Sequence, residues 1–169
     1  MRFLWALLCA VLWVSPAGAE FAGRASIVVG NIATAGIATG TTEQTLATYS
    51  LPANALNVVG RRLRAQAHFS TAANTNTKTF RLYFGAQVVS IATAVSAAGG
   101  YLEMDVIKSG ANTQIVTGRG QAGTVLMAPF SAAGANTDTA AIVIRASCQS
   151  SVSAANNCVL QDFSVRWLN

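Results

Sequence analysis

The chain has 169 residues, of which only 10% are charged, and its formal net charge is +5. This length suits one domain with a substantial core, and the content of β-branched and aromatic residues is too high for a disordered chain. A mild positive charge does not by itself indicate a nucleic-acid-binding protein, and we expect no nucleic-acid partner.

The first nineteen residues have the pattern of a secretory signal peptide. A positive start, an apolar run over residues 3–14 and the Ala-Gly-Ala of residues 17–19 precede Glu20. The apolar run is about a dozen residues long, whereas a membrane-spanning helix needs about 20. We therefore predict that residues 1–19 are a signal peptide cleaved after Ala19, that the protein is exported to the periplasm or the medium, and that no membrane span remains after cleavage.

The next segment, residues 20–44, is rich in Ala, Gly and Thr. We interpret it as an extended arm whose expected strand runs from Ser26 to Val29. From residue 45 to residue 169 the composition predicts a separate β-sandwich domain.

Apolar and polar residues alternate with period two in several runs of this domain, and clusters of Gly, Ala and Asn separate the runs. This pattern is typical of half-buried strands, and no amphipathic helical stretch appears. The predicted fold is an all-β, two-sheet antiparallel sandwich, jelly-roll-like, with about eight strands. We expect its core to contain Phe80, Leu82, Phe84, Leu102, Met104, Val106, Ile142, Ile144, Phe163 and Val165.

The last run is irregular. Its alternation places Val159, Phe163, Val165 and Trp167 on one face, but Gln161 interrupts the series. A β-bulge near Gln161 and Asp162 would explain the interruption.

Two cysteines remain after signal cleavage, Cys148 and Cys158, separated by a loop rich in Ser, Ala and Asn. An even number of cysteines in an exported protein predicts a disulfide between them. The alternative is a pair of buried free thiols. Their spacing fits neither a C-x-x-C redox motif nor a zinc site.

No residue pattern indicates an enzyme, a cofactor or a metal site. His68 is the only histidine, and the Gly-rich run of residues 118–123 precedes an expected strand rather than the helix that a phosphate site requires. Glu103 and Asp105 would lie about 7 Å apart on one face of a strand, as in paired glycosidase carboxylates. Their exposed, alternating pattern favours ion pairs with neighbouring arginines instead.

A possible binding face is suggested by basic and aromatic residues that alternate away from the apolar faces: Arg62, Arg64, His68, Arg81, Tyr83 and Arg145. If their strands are neighbours, these residues form one exposed Arg/Tyr face suited to protein or sugar recognition. The alternative is an ordinary solvated sheet face with cross-strand ion pairs.

Four stretches, residues 46–56, 78–85, 110–114 and 159–165, resemble a jelly-roll module of tailed-phage virion proteins and related prophage genes. The resemblance spans roughly residues 43 to 169 and rests on strand and turn patterns. It implies a structural role on a particle surface, as a decoration, head-fibre or tail-associated protein, with no catalytic residues. The signal peptide and the disulfide depart from virion proteins assembled in the cytoplasm and suggest an exported domain on the same scaffold.

Two functions follow from these observations. The first is a non-enzymatic structural or surface-display protein of phage-virion type, exported or on a virion surface, which self-associates and contacts a particle or cell surface. Such modules often form trimers, so we expect a homo-oligomer. The second is a secreted carbohydrate-binding module with a glycan as its partner.

Overall fold

The structure, a computed structural model, describes residues 27–29, 36–96 and 98–168. These residues form twelve strands and no helix, and nine of the strands have five residues or more. The strands are β1 (Ile27–Val29), β2 (Gly36–Ala38), β3 (Gln44–Leu51), β4 (Arg62–Thr71), β5 (Lys78–Phe84), β6 (Gln87–Thr93), β7 (Gly99–Gly110), β8 (Thr113–Ala122), β9 (Val125–Leu126), β10 (Phe130–Gly134), β11 (Ile142–Ser150) and β12 (Cys158–Trp167).

The strands form two antiparallel sheets, as the alternation predicted. In the large sheet six strands follow the order β1-β12-β4-β7-β8-β10, with β2 also paired to β12 and β9 to β8. In the small sheet the order is β3-β11-β5-β6. The last two strands return to early ones in the manner of a jelly roll, because β11 lies between β3 and β5 while β12 lies beside β4. The all-β, two-sheet sandwich is therefore confirmed.

The core lies between the sheets. All ten residues predicted for it are at most 5% exposed. They lie on β5, β7, β11 and β12, where every second side chain points inwards. Packing of this apolar set is the main source of stability, since each fully buried large side chain contributes about 1.5–3 kcal/mol.

The bulge predicted in β12 is present and changes which residues face the core. The register with β4 shifts between Leu160 and Asp162. Because the extra residue inverts the alternation, Leu160 is buried and Val159 is only half-buried. The prediction that Val159 shares the face of Phe163 is therefore wrong.

Two short strands come from the segment interpreted as an arm. β1 pairs with β12 at Val165 and Arg166, and β2 pairs with β12 at residues 158–160. The predicted signal peptide, its cleavage site and Ser26 lie outside the described residues.

The glycines of residues 118–123 lie in β8 and in the turn that follows it, where they have structural roles. A Cβ on Gly118 would collide with Val89 of the opposite sheet, and a Cβ on Gly120 would collide with Leu102 and the carbonyl of Tyr101. Gly123 has a φ of 59° in the turn that follows β8. These are close approaches that only glycine permits.

The predicted disulfide between Cys148 and Cys158 is present and joins the two sheets. Its Cα atoms are 6.4 Å apart, and both residues are fully buried. One cysteine lies on β11 and the other on β12, so the bond closes the loop between the last two strands.

Replacing both cysteines by alanine should lower the free energy of unfolding by about 2–3 kcal/mol, because the unfolded chain loses a constraint that closes a loop of about ten residues. Urea unfolding of the variant and the oxidised parent measures the difference. The reduced parent is the matched control and should lose a similar amount. A loss below about 0.5 kcal/mol would contradict a stabilising bond.

Candidate interaction surfaces

The predicted Arg/Tyr face is divided between the two sheets, so the prediction of a single face is wrong. The outer face of the large sheet carries Arg62, Arg64 and His68 from β4, and that of the small sheet carries Arg81 and Tyr83 from β5 and Arg145 from β11. All six alternate with core residues and point away from the core, but in opposite directions. Alternation predicts whether a side chain points outwards, but it does not show which strands are neighbours.

On the large-sheet face, Arg64 and Asp105 form a bidentate ion pair. Arg64 Nε donates to Asp105 Oδ1 at 2.6 Å, and Arg64 Nη2 donates to Oδ2 at 2.8 Å. The two residues are direct partners in the register of β4 and β7. The expected cross-strand pairing of this carboxylate with an arginine is confirmed, and the pair holds both side chains rigidly.

Glu103 is buried, which corrects the expectation that it is exposed. Its residue exposure is 5%, because long side chains from the two neighbouring strands cover it. Gln66 Nε2 donates to its Oε2 at 2.7 Å, Arg64 Nη2 lies 3.4 Å from its Oε1, and Arg119 also contacts Oε1. These partners supply the hydrogen bonds and opposite charges that a buried carboxylate needs.

His68 lies at the other end of the same face. Its Nδ1 is 3.2 Å from Asp162 Oδ2, and its ring centroid is 6.2 Å from that of Tyr101. The side chain is 47% exposed. The bulge in β12 places Asp162 opposite His68, which is why simple alternation did not indicate this pair.

On the small-sheet face, Glu43 is the centre of a polar cluster that the sequence analysis missed. It accepts a hydrogen bond from Ser147 Oγ at 2.6 Å and from Tyr83 Oη at 3.2 Å. Arg81 Nη1 lies 3.2 Å and Arg145 Nη2 lies 3.6 Å from its carboxylate. Glu43 precedes β3 and belongs to no alternating run, so no sequence signal singled it out.

The partners of Glu43 set its charge. Partial burial acts to raise the pKa of its carboxyl, but the hydrogen bonds from Ser147 and Tyr83 and the charges of Arg81 and Arg145 outweigh burial, and the pKa lies below its ordinary value. Burial and the hydrogen bond to Glu43 raise the pKa of the Tyr83 phenol. The cluster therefore holds an ionised carboxylate and a neutral phenol at neutral pH.

A cation–π contact completes this face. The guanidinium carbon of Arg145 lies 4.1 Å from the centroid of the Tyr83 ring. A guanidinium over a tyrosine ring is a favourable cation–π contact, and it fixes the orientation of both groups.

Three arginines, Arg62, Arg64 and Arg166, occupy neighbouring outward positions at one corner of the large sheet. Arg64 and Arg166 are direct partners in the register of β4 and β12, and Arg62 is the next outward residue of β4. Arg166 forms no ion pair within the described part of the chain, and its Nε is buried without a hydrogen-bond acceptor. Sequence reasoning found the first two residues and missed Arg166.

A buried ion pair between Lys108 and Asp138 lies at one end of the sandwich. Lys108 is 2% exposed, and its ammonium contacts both carboxylate oxygens of Asp138. Asp138 also accepts a hydrogen bond from the backbone NH of Asn112 at 2.7 Å, and its carbonyl accepts one from the backbone NH of Asn54 at 2.7 Å. These bonds tie three loops together. The ion pair with Lys108 and the amide of Asn112 hold the pKa of Asp138 below its ordinary value.

Large aliphatic side chains are exposed at this end, and we name Val58, Val59 and Ile115 the apolar end. Their exposures are 53%, 65% and 44%. Gly60 donates its backbone NH to the carbonyl of Lys108, and Lys108 is the register partner of Gln114, so residues 58–60 and Ile115 lie at the same end of the large sheet.

A second buried lysine is the first residue of β5, at the end of this strand away from Phe84. Lys78 is fully buried, and its Nζ donates to the carbonyl of Asn74 at 2.7 Å. Burial lowers the pKa of its ammonium. It shares the parity of Phe80, Leu82 and Phe84, so it occupies a core position at the end of a strand.

The described residues contain no group of three or more His, Cys, Asp or Glu side chains placed to hold a metal ion. They also contain no helix long and apolar enough to cross a membrane. A shallow depression beside Glu103, Asp105 and Arg119 has a volume of about 160 Å³, below the usual range of ligand pockets, which begins at about 300 Å³.

Comparison with models of known protein families finds no match for this chain, and comparison with curated proteins finds none either.

Proposed function

We propose that this protein is a non-enzymatic structural or surface-display sandwich of phage-virion type, which self-associates and contacts a particle or cell surface. The apolar end is the observation on which the proposal rests. It presents three large aliphatic side chains, exposed by 44% to 65%, at one end of the large sheet, two in the loop before β4 and one on β8. Clustered exposed apolar residues with a polar surround are typical of protein–protein contact sites.

The scaffold beneath the apolar end is suited to such a contact. Lys108, Asp138 and Asn112 connect the loops there through an ion pair and backbone hydrogen bonds. A preorganised surface loses little conformational entropy when it binds, so more of its contact energy appears as affinity.

The carboxylates of the two outer faces support a non-enzymatic role. Glu103 and Asp105 are held by arginines, and hydrogen bonds and arginine charges keep Glu43 ionised. A general acid would instead need a carboxyl with a raised pKa facing a cleft. These groups therefore act in the proposal as structural ions that fix the two faces.

A secreted carbohydrate-binding module is the second candidate. The stack of Arg145 on Tyr83 favours it, because an ordered planar group on an exposed sheet face offers both an apolar surface and hydrogen-bond donors to a sugar. In this alternative the protein has no need to self-associate.

Substitutions at the apolar end, made in a protein of residues 20–169, test the proposal. Val59→Glu and Ile115→Glu each place a charge in the proposed contact, and we expect both to convert a discrete oligomer into monomers in light-scattering measurements. Val152→Glu and Val143→Glu are the matched controls, one in a loop and one in a strand, with parent residues 49% and 47% exposed. They should leave the oligomer intact. Equal dissociation of controls and test variants would contradict the assigned contact.

A further inference from the structure

We infer that the free edge of β6 is a binding site for an extended, uncharged segment of a partner protein, which joins the four-stranded small sheet as a further strand. The inference rests on the surface-contact part of the proposed function and is independent of self-association. It assigns the partner a chemistry, a lone strand in which apolar residues alternate with small polar ones.

The backbone of β6 is open on one side. Among the described residues β6 pairs only with β5, and it is the last strand of its sheet. Gly85 donates its backbone NH to the carbonyl of Val143 on β11, so the odd-numbered residues of β5 bond to β11 and the even-numbered ones bond to β6. The alternate residues of β6, Val88, Ser90 and Ala92, therefore direct their NH and carbonyl groups away from β5. No backbone group of the described chain bonds to them, and they form the ladder that an added strand requires.

This edge lacks the charges, prolines and bulges by which proteins commonly block strand pairing. No charged residue occurs between Arg81 and Glu103, and β6 contains no proline. β6 pairs with β5 along its whole length without a register shift, whereas β3, the other edge strand of this sheet, has a shift opposite Ala146 and Ser147 of β11. An exposed edge without such protection is a template for another strand.

The large sheet supplies a floor for the added strand. Val89 of β6 lies against Gly118 of β8, and β10 is the next strand outward from β8. The inner side chains of β10 include Phe130 and Ala132, and both are only half-buried. A strand beside β6 would cover them, so apolar burial would add to the backbone hydrogen bonds.

The geometry disfavours a second copy of the chain as the occupant. The β6 of a second copy carries its own β8 and β10 beneath it, because Val89 lies against Gly118 and Gln87 Nε2 donates to the carbonyl of Ala133 at 3.4 Å. Those strands would need the space that β10 of the first copy already fills. A lone extended segment brings no second sheet with it, so it fits where a second sandwich does not.

The surroundings of the edge determine the chemistry of the segment. Neither β6 nor β10 has a charged side chain, and no charged residue occurs between Arg119 and Asp138. A charge that faced the floor would lose its hydration without gaining an ion-pair partner, which is costly. On the outer face the segment would lie beside Ser90 and Ala92, which are small and exposed. Apolar residues therefore suit its inner face, and small polar residues suit its outer face.

Binding of a synthetic peptide to residues 20–169, measured by calorimetry, tests the inference. The probe has blocked ends, alternating valine and threonine, and the length of β6. We expect it to bind the parent, and Ser90→Pro to weaken binding by about tenfold or more, because proline removes an outward NH while the bonds to β5 remain. Ser50→Pro is the matched control, an exposed serine on the other edge strand of the same sheet, and it should change affinity by less than about twofold. A probe with a central proline should not bind.

Hydrogen exchange followed by NMR tests the same edge without a substitution. With saturating peptide, the amide protons of Val88, Ser90 and Ala92 should exchange about tenfold more slowly or less than that rate, because they become hydrogen-bonded. The amide proton of Ser50 on β3 should exchange at an unchanged rate.

Three results would overturn the site. One is no binding of the valine–threonine peptide, and another is an equal loss of affinity in Ser90→Pro and Ser50→Pro. The third is protection of the β6 amides that rises with protein concentration in the absence of peptide, which would assign the edge to a second copy. An oligomer that does not bind the peptide would refute this site alone, and a monomer that binds it would refute self-association alone.

Discussion

Phe84→Ala is expected to lower the free energy of unfolding by about 3–5 kcal/mol, the range typical of a buried phenylalanine replaced by alanine. Phe84 is fully buried at the end of β5, where it lies opposite Ile144 of β11 and Gln87 of β6. The substitution removes the whole ring and leaves a cavity between the sheets. The loss is a large part of the stability of a small domain, which is typically about 5–15 kcal/mol.

Denaturant unfolding of Phe84→Ala and of Val143→Ala measures this effect against a matched control. Val143 lies on the outer side of β11 and is 47% exposed, so its truncation should cost less than about 0.5 kcal/mol. A loss below about 1 kcal/mol for Phe84→Ala would contradict its place in the core.

Asp138→Ala should destabilise the protein by a similar amount, about 3–5 kcal/mol, because it leaves the charge of Lys108 buried without a partner. Lys108 is 2% exposed, and Asp138 also anchors the backbone NH of Asn112. Asp162→Ala is the control, since the side chains of its pair with His68 are 28% and 47% exposed and the pair is more solvated than that of Lys108 with Asp138, and it should cost less than about 1 kcal/mol. Equal losses in the two variants would contradict a special role for the buried pair.

The same ion pair predicts how stability depends on pH. The pKa of Asp138 is lower in the folded state than in the unfolded chain, so the pair stabilises the fold fully above the ordinary aspartate pKa of about 3.9. This stabilisation is lost as the pH falls from there through the folded pKa. Thermal unfolding should be measured for the parent and for Asp138→Asn from about pH 6 down to acid pH. We expect the unfolding temperature of the variant to depend less on pH than that of the parent.

The core could be predicted from the sequence because a strand has a strict period of two. Once the parity of Phe80 and Phe84 is assigned, every residue between them is placed inside or outside. The bulge at Gln161 was also visible as a break in the pattern, although its effect on Val159 depends on the position of the extra residue.

The interaction surfaces could be predicted only in part, because alternation contains no information on strand neighbours. Arg64 and Arg81 lie on outward positions of consecutive long strands, yet these strands belong to different sheets. Glu103 was expected to be exposed because the sequence does not show that Arg64, Gln66 and Arg119 converge on it.

The buried lysines carried a sequence signal that was not used. Lys108 has the parity of Leu102, Met104 and Val106, and its burial follows from that position. What the sequence could not show is its partner, because Asp138 lies in a loop between β10 and β11 and is brought close only by the fold.

Light scattering of residues 20–169 over a range of protein concentrations is the most direct test of the central claim, self-association. We expect one discrete species whose mass is a whole-number multiple, two or more, of the mass of a single chain and which persists on dilution to micromolar concentration. A monomer at every concentration would contradict self-association and leave the carbohydrate-binding module as the better proposal.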